Sequence, residues 1–179
     1  MSETVSIRHA DVSDAAALAG MADALFRAAF ADRNDPAQMD RYCAAHFGTE
    51  LQAREIADPN AITLLLVSEG HIAGFAQMLR GARPQTAVDV GPMPVELQRF
   101  YVAPGLHGRG VAQLLMQRCI EEAEKSGAWI LWLGVWKENP RAIAFYHKCG
   151  FEIAGDQVFL LGTEEQYDHV MIRPLQQEP

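Results

Sequence analysis

Cysteine is scarce in this chain. Cys43, Cys119 and Cys149 make an odd count, at spacings that fit neither a disulfide framework nor a zinc site. Positive charge is also short: 15 Lys and Arg face 23 Asp and Glu, a formal charge of −8. A nucleic-acid binder would normally show a basic face, so that class is set aside. The acidity suits solubility or the long-range attraction of a cationic ligand. No apolar run approaches the ~20 residues of a membrane span, and the start carries neither the basic flank nor the apolar core of a secretion signal. A cytoplasmic protein without a membrane partner is therefore expected. Repeats, low-complexity tracts and linkers are missing, so residues 1–179 are expected to form one domain. The six histidines show no ligand spacing, and no metal is expected.

What is present is a hydrophobic pattern that changes period along the chain. Val5 to His9 reads as a short strand. Leu18, Met21, Leu25 and Phe26 then recur at helical spacing, with Asp11 or Ser13 as the N-cap. Asn34-Asp35-Pro36 opens a second helical region, continuous or interrupted, reaching about Ile56. Ile62 to Val67 and Ile72 to Leu79 form a hairpin across Ser68 to His71, followed by a Gly- and Pro-rich loop from Gly81 to Pro94. Val95 to Val102 is a strand, and Gly108 to Ser126 a helix with Leu115, Cys119 and Ala123 on one face and Gly127 at its stop. Trp129 to Trp136 is a near-continuous apolar strand of the kind found in buried parallel positions. Pro140 to Lys148 is a short helix capped by Asn139, and Phe151 to Leu161 and His169 to Leu175 are antiparallel strands. The order describes an α/β domain with a mixed sheet.

The stretch "FYVAPGLHGRGVA", Phe100 to Ala112, runs from strand to helix through three glycines within six residues. A helix start offers unpaired N–H groups and the positive end of the helix dipole, and together these bind an anion. Gly108 and Gly110 remove side chains that would hold phosphate oxygens away, and Arg109 adds charge. Val111-Ala112 follows where a Walker loop needs Lys-Ser/Thr, and Gln113 stands where the dinucleotide fingerprint needs glycine. On these glycines alone, a phosphate site and a plain strand-to-helix turn are equally compatible.

With "VELQRFYVAPGLHGRGVAQLLM" (Val95 to Met116) and "LGVWKENPRAIAFYHKCGFEIAG" (Leu133 to Gly155), the chain resembles the GNAT superfamily of N-acetyltransferases. That family's phosphate motif, Gln/Arg-x-x-Gly-x-Gly/Ala, is matched by His107 to Ala112 except at His107. The resemblance implies a mixed, mostly antiparallel seven-stranded sheet flanked by helices and splayed between its fourth and fifth strands. It implies acetyl-CoA as co-substrate, with pyrophosphate on the amides of Gly108, Arg109, Gly110, Val111, Ala112 and Gln113. The pantetheine arm would pair with Phe100, Tyr101 and Val102 and meet Asn139. Tyr146, reached through the Tyr-x-x-x-Gly-Phe pattern ending at Phe151, would be the general acid; a phenol with a pKa of ~10 is a suitable donor to a thiolate.

"FRAAFADRNDPAQMDRY" and "GTEEQYDHVMI" extend the similarity toward the bacterial spermidine/spermine N-acetyltransferase branch. Glu96 is the candidate base, or a substrate contact. Strand alternation predicts that it shares a face with Gln98, Phe100 and Val102. An acceptor pocket is expected where Phe26, Phe30, Tyr42 and Phe47 mix with Asp32, Asp35 and Asp40, apolar walls for methylenes and carboxylates for ammonium groups. The expected reaction is direct acetyl transfer to a primary amine, a polyamine or other small amine, with a homodimer possible. A protein acceptor and a non-catalytic acyl-CoA-binding regulator are the other readings the residues allow.

Overall fold

The computed structural model describes residues 5–176. Seven strands, β1 (Val5–His9), β2 (Ala61–Ser68), β3 (His71–Arg80), β4 (Val95–Val102), β5 (Ile130–Trp136), β6 (Glu152–Leu161) and β7 (Glu164–Pro174), form one sheet in the order β1-β2-β3-β4-β5-β7-β6. Every neighbouring pair is antiparallel except β4 and β5. That parallel pair meets only at Val95↔Leu131 and Glu96↔Trp132, after which the strands diverge. The splay leaves the β5-facing backbone edge of residues 98–102 without a strand partner.

Five helices cover the sheet: α1 (Ala15–Phe30), α2 (Pro36–His46), α3 (Thr49–Ala57), α4 (Val111–Lys125) and α5 (Pro140–Lys148). The second helical region is interrupted, forming α2 and α3, because Phe47 leaves helical geometry and Gly48 becomes the N-cap of α3. Asp11, not Ser13, supplies the first cap, accepting from the Ser13 amide in a short 3-10 turn that precedes α1. The hairpin between β2 and β3 turns on Glu69 and Gly70 alone, both at positive φ, which matches the twist of the flanking strands. β7 begins five residues earlier than its apolar pattern, at Glu164, since Glu164 to Asp168 pair with β6 despite their polarity.

The two sheet faces carry separate cores. On one face α4 lays Leu115, Cys119 and Ala123, all fully buried, against Leu64, Ala76, Met78, Leu97, Leu131 and Leu133. Each such leucine contributes roughly 1.5–3 kcal/mol by leaving water. On the other face Leu18, Leu25 and Phe26 of α1 and Met39 and Cys43 of α2 meet Leu65, Phe75 and Leu161. A buried polar cluster ties α3 to this face: Arg99 Nη1 donates to Glu55 Oε2 at 2.6 Å, and Gln77 Nε2 donates to Gln52 Oε1 at 3.0 Å.

A bulge in β4 sets which side chains reach which face. Gln77 pairs with Arg99 and Met78 with Leu97, so Gln98 is an extra residue. The regular alternation read from the sequence therefore fails at this point. Leu97, Phe100 and Val102 join the α4 core, while Tyr101 packs in the α1–α2 core and Arg99 reaches Glu55 of α3. Glu96, paired with Leu79, falls on the Arg99 side and not with Phe100.

Candidate active site

The strand at β4 ends in a 3-10 turn, Pro104–Leu106, and passes through Gly108 and Gly110 into α4. Both glycines sit at φ near +77°, where a residue with a Cβ is strained, and a Cβ built on either meets nothing within 4 Å. Gly110 is the N-cap, with no side chain capping the helix. The helix proper thus starts at Val111, later than Gly108, and its first-turn amides open onto a bare concave turn. Val111 itself is buried against Leu66 and Leu106, so it offers a ligand only its backbone.

His107 is held by two bonds. Arg141 Nη2 donates to its Nδ1 at 2.9 Å, which leaves the proton on Nε2, and Nε2 donates to the Val102 carbonyl at 2.9 Å. The imidazole is therefore fixed in orientation, and Arg141 supplies positive charge beside it. Sequence reasoning missed Arg141, yet a signal was there: a cation in the first turn of α5 opposes the helix dipole and calls for another reason to be present.

Beyond the turn a cavity of about 580 Å³ passes through the gap between β4 and β5. On the α4 side it is walled by Phe100, Val102, Ala112, Asn139, Phe145 and Tyr146. The apolar face of α5 contributes no fully buried residue, so it stands half-covered along this channel. Phe100 stacks on Phe145 at 5.6 Å, and Tyr146 meets Phe100, Phe145 and Phe151 edge-on. Burial pushes the Tyr146 phenol well above its ordinary range, so it stays protonated through neutral pH. Asn139 caps α5 by accepting from the Ala142 amide at 3.2 Å, with its side chain at the cavity wall.

On the opposite face the cavity widens among Phe26, Phe30, Tyr42, Tyr101, Trp136 and Phe159, with Gln98, Gln166 and Asp168 as polar groups. Phe26 stacks on Tyr42 at 4.5 Å, and Phe30 meets Trp136 edge-on at 6.2 Å. The segment between α1 and α2 is fastened over this side. Arg33 Nη1 donates to the Glu138 carbonyl at 2.6 Å, Gln166 donates to Asn34, and the Thr163 amide donates to Gln38 Oε1 at 2.9 Å.

The expected aromatic wall is present in Phe26, Phe30 and Tyr42, but Phe47 is buried in the core beneath it. The expected acids are elsewhere. Asp35 caps α2, Asp40 pairs with Arg27 at 2.7 Å, and neither they nor Asp32 line the cavity. Glu96 does not line it either; its Oε2 accepts from Gln98 Nε2 at 3.1 Å, and Gln98 stands at the wall. Burial raises the Glu96 carboxyl above its usual value, with Gln98 and Arg99 opposing. No Ser, Thr, Cys or Lys is among the described lining residues. Cys43 and Cys119 are buried, and burial raises the thiol of Cys149. Among the described residues no cluster could hold a metal ion, and no helix is long and apolar enough to cross a membrane.

The family model of the acetyltransferase (GNAT) family matches residues 22–151, the span that carries the glycine turn, the splay and α5. The chain belongs to this family. An uncharacterised N-acetyltransferase of Mycobacterium tuberculosis is 34% identical over 164 residues, 92% of this chain and 99% of that protein. Streptothricin acetyltransferase of Streptomyces lavendulae is 31% identical over 116 residues, 64% of this chain and 57% of that protein. The crystal structure of PaiA N-acetyltransferase from Thermoplasma acidophilum in complex with coenzyme A superposes with a TM-score of 0.77 at 18% identity, covering 96% of this chain and 99% of that one. This GNAT protein is an acetyl-CoA-dependent N-acetyltransferase with the family's splayed seven-stranded sheet. The donor's needs fit the residues present: an open, uncapped helix start for phosphates and a half-covered apolar channel for the arm.

Proposed function

We propose that this GNAT acetyltransferase moves an acetyl group directly from acetyl-CoA to the primary amine of a small molecule with an apolar body. One observation carries the reading. A single cavity runs from the glycine turn, through the β4–β5 gap, to an aromatic chamber under α1 and α2. Donor and acceptor entering from opposite faces meet in that gap, and such positioning supplies much of the rate of an acyl transfer.

In this reading the amides from Gly108 to Gln113 bind the pyrophosphate, with charge from Arg109 and Arg141. The open edge of Phe100, Tyr101 and Val102 and the Asn139 amide hold the pantetheine arm; His107 serves as a fixed prop at Val102. Acetyl-CoA supplies a thioester whose leaving group is a thiolate. Tyr146, standing in the channel wall beside Phe100 and Phe145, protonates that thiolate. The lack of a lining Ser, Thr, Cys or Lys supports attack by the amine itself, without an acyl-enzyme.

The acceptor side favours one charge, not several. A polyamine, as the spermidine/spermine branch implies, needs carboxylates for its distant ammonium groups, and among the described lining residues Asp168 stands alone. The fastened α1–α2 segment favours a small acceptor over a folded protein. Free thiol release measured with acetyl-CoA and a panel of 2-phenylethylamine, hexylamine, spermidine and a short peptide tests this. The expected order of kcat/KM puts the two monoamines first. A preference for spermidine restores the polyamine reading, and a preference for the peptide overturns the small-acceptor one.

A further inference from the structure

Asp168 occupies an unusual position for a carboxylate. It lies on β7 opposite Trp136 of β5 and Gln157 of β6, and only 6% of its surface is exposed. Its neighbours are satisfied: His169 bonds Asp156 at 2.8 Å, and Gln166 bonds Asn34. No described residue donates a hydrogen bond to the Asp168 carboxylate itself. Gly134 leaves the floor beneath it bare. A Cβ there would stand 2.5 Å from Gln157 Nε2 and 3.0 Å from Asp168 Oδ2, so a side chain would press first on the Gln157 amide and then tightly on the carboxylate.

A buried carboxylate without a donor is costly, and a cation arriving in the cavity removes that cost. The groups around Asp168 leave the task to a ligand. Tyr42 of α2 and Tyr101 of β4 line the same chamber as neutral phenols, Tyr42 pushed up to about 12 by burial. α1 contributes Phe26 and Phe30, β5 Gly134 and Trp136, and β6 Phe159. His169, next along β7, is engaged with Asp156, which Lys137 also meets at 2.7 Å.

We propose that Asp168 receives the acceptor's ammonium group and takes its proton, so that Asp168, and not Glu96, delivers the neutral amine. The inference rests on the reading that a primary amine enters the α1–α2 chamber. The ammonium proton passes to the carboxylate and on to solvent, which restores the carboxylate. The nitrogen lone pair then forms the C–N bond to the acetyl carbon as the C–S bond breaks; the second nitrogen proton goes to Asp168 and the thiolate takes a proton from Tyr146. Asp168 releases this second proton to solvent and solvent returns one to Tyr146, so the net products are amide, free thiol and one proton. Burial raises the Asp168 carboxyl to about 6, nearer to neutrality than an ordinary carboxylate and better matched to this work.

The test compares wild type, Asp168→Asn and Glu96→Gln in kcat/KM for 2-phenylethylamine from pH 5 to 9.5, with acetyl-CoA affinity by calorimetry. Asp168→Asn is expected to lose ~10²-fold or more at pH 7. It should also lose the acidic limb near 6 and rise about tenfold per pH unit as the free amine fraction grows. Its acetyl-CoA affinity stays within about threefold of wild type, a result that a merely misfolded variant would not give. Asp168→Glu restores part of the limb. An Asp168→Asn profile parallel to wild type overturns the proposal, as does loss of the limb in Glu96→Gln but not in Asp168→Asn. A wild type that acetylates no amine of the panel overturns the amine-acceptor reading and this proposal with it. Turnover by wild type together with either contrary profile overturns this proposal alone.

Discussion

Gly105 and Gly110 offer a controlled pair for the glycine turn. A Cβ built on either meets nothing within 4 Å, so Gly105→Ala and Gly110→Ala both add a methyl to open space. They differ in backbone: Gly110 sits at φ +76°, ψ −2°, while Gly105 is outside the positive-φ set. An L-residue held in the left-handed region costs roughly 1–2 kcal/mol. For a chain of this length each kcal/mol moves the midpoint by about 2–4 °C, so Gly110→Ala should lower Tm by ~2–8 °C and Gly105→Ala by close to nothing. Open space at the start of α4 is also where the phosphate assignment places the ligand, so a methyl at position 110 would compete with it. Losing even one charge-assisted hydrogen bond to phosphate costs about 1.5–3 kcal/mol, a drop of ~10-fold or more in acetyl-CoA affinity. Thermal unfolding and calorimetric titration of both variants measure the two effects separately. Equal Tm in the pair would refute the strain argument, and an unchanged affinity in Gly110→Ala would refute the phosphate assignment.

Tyr146→Phe keeps the edge-on ring contacts and removes the proton donor, so kcat should fall ~10²–10⁴-fold with little change in acetyl-CoA affinity; rapid-mix thiol release checks it, and full turnover would pass the role to water. Asp168 should make stability depend on pH with a definite sign. Its folded pKa, about 6, lies above the ordinary 3.8, so the folded state binds the proton more tightly and wild type loses stability as pH rises from about 4 to 6. Asp168→Asn should lack that fall and be more stable than wild type at pH 7, by up to ~3 kcal/mol, with the difference vanishing near pH 4. Denaturant unfolding at the two pH values reads it directly; a constant difference would show that the carboxyl is not held up by burial.

Local chemistry was legible without any structure wherever a residue acts through its own backbone or its nearest neighbours along the chain. Asn139 capping α5, the bounds of β4 and α5, the helical face of Leu115, Cys119 and Ala123, and the bare glycine entry to α4 all depend on periods and caps within one element. What depends on two distant segments was not legible. The Gln98 bulge is fixed only when β4 is laid against β3, although the adjacent polar pair Gln98-Arg99 already interrupts the alternation of β4 there; one extra residue then moves Glu96 from the face of Phe100 to that of Arg99. The three acids near α1 and α2 looked suited to a cationic ligand, yet one caps a helix and another pairs with Arg27. Asp168 lies in a polar stretch that reads as solvent-exposed until β5 and β6 close on either side of it and Gly134 leaves room for its carboxylate. Hydrophobic period and capping are local quantities that a sequence carries on its face. Desolvation of a charge is set by what packs around it, and that is decided only when the strands come together.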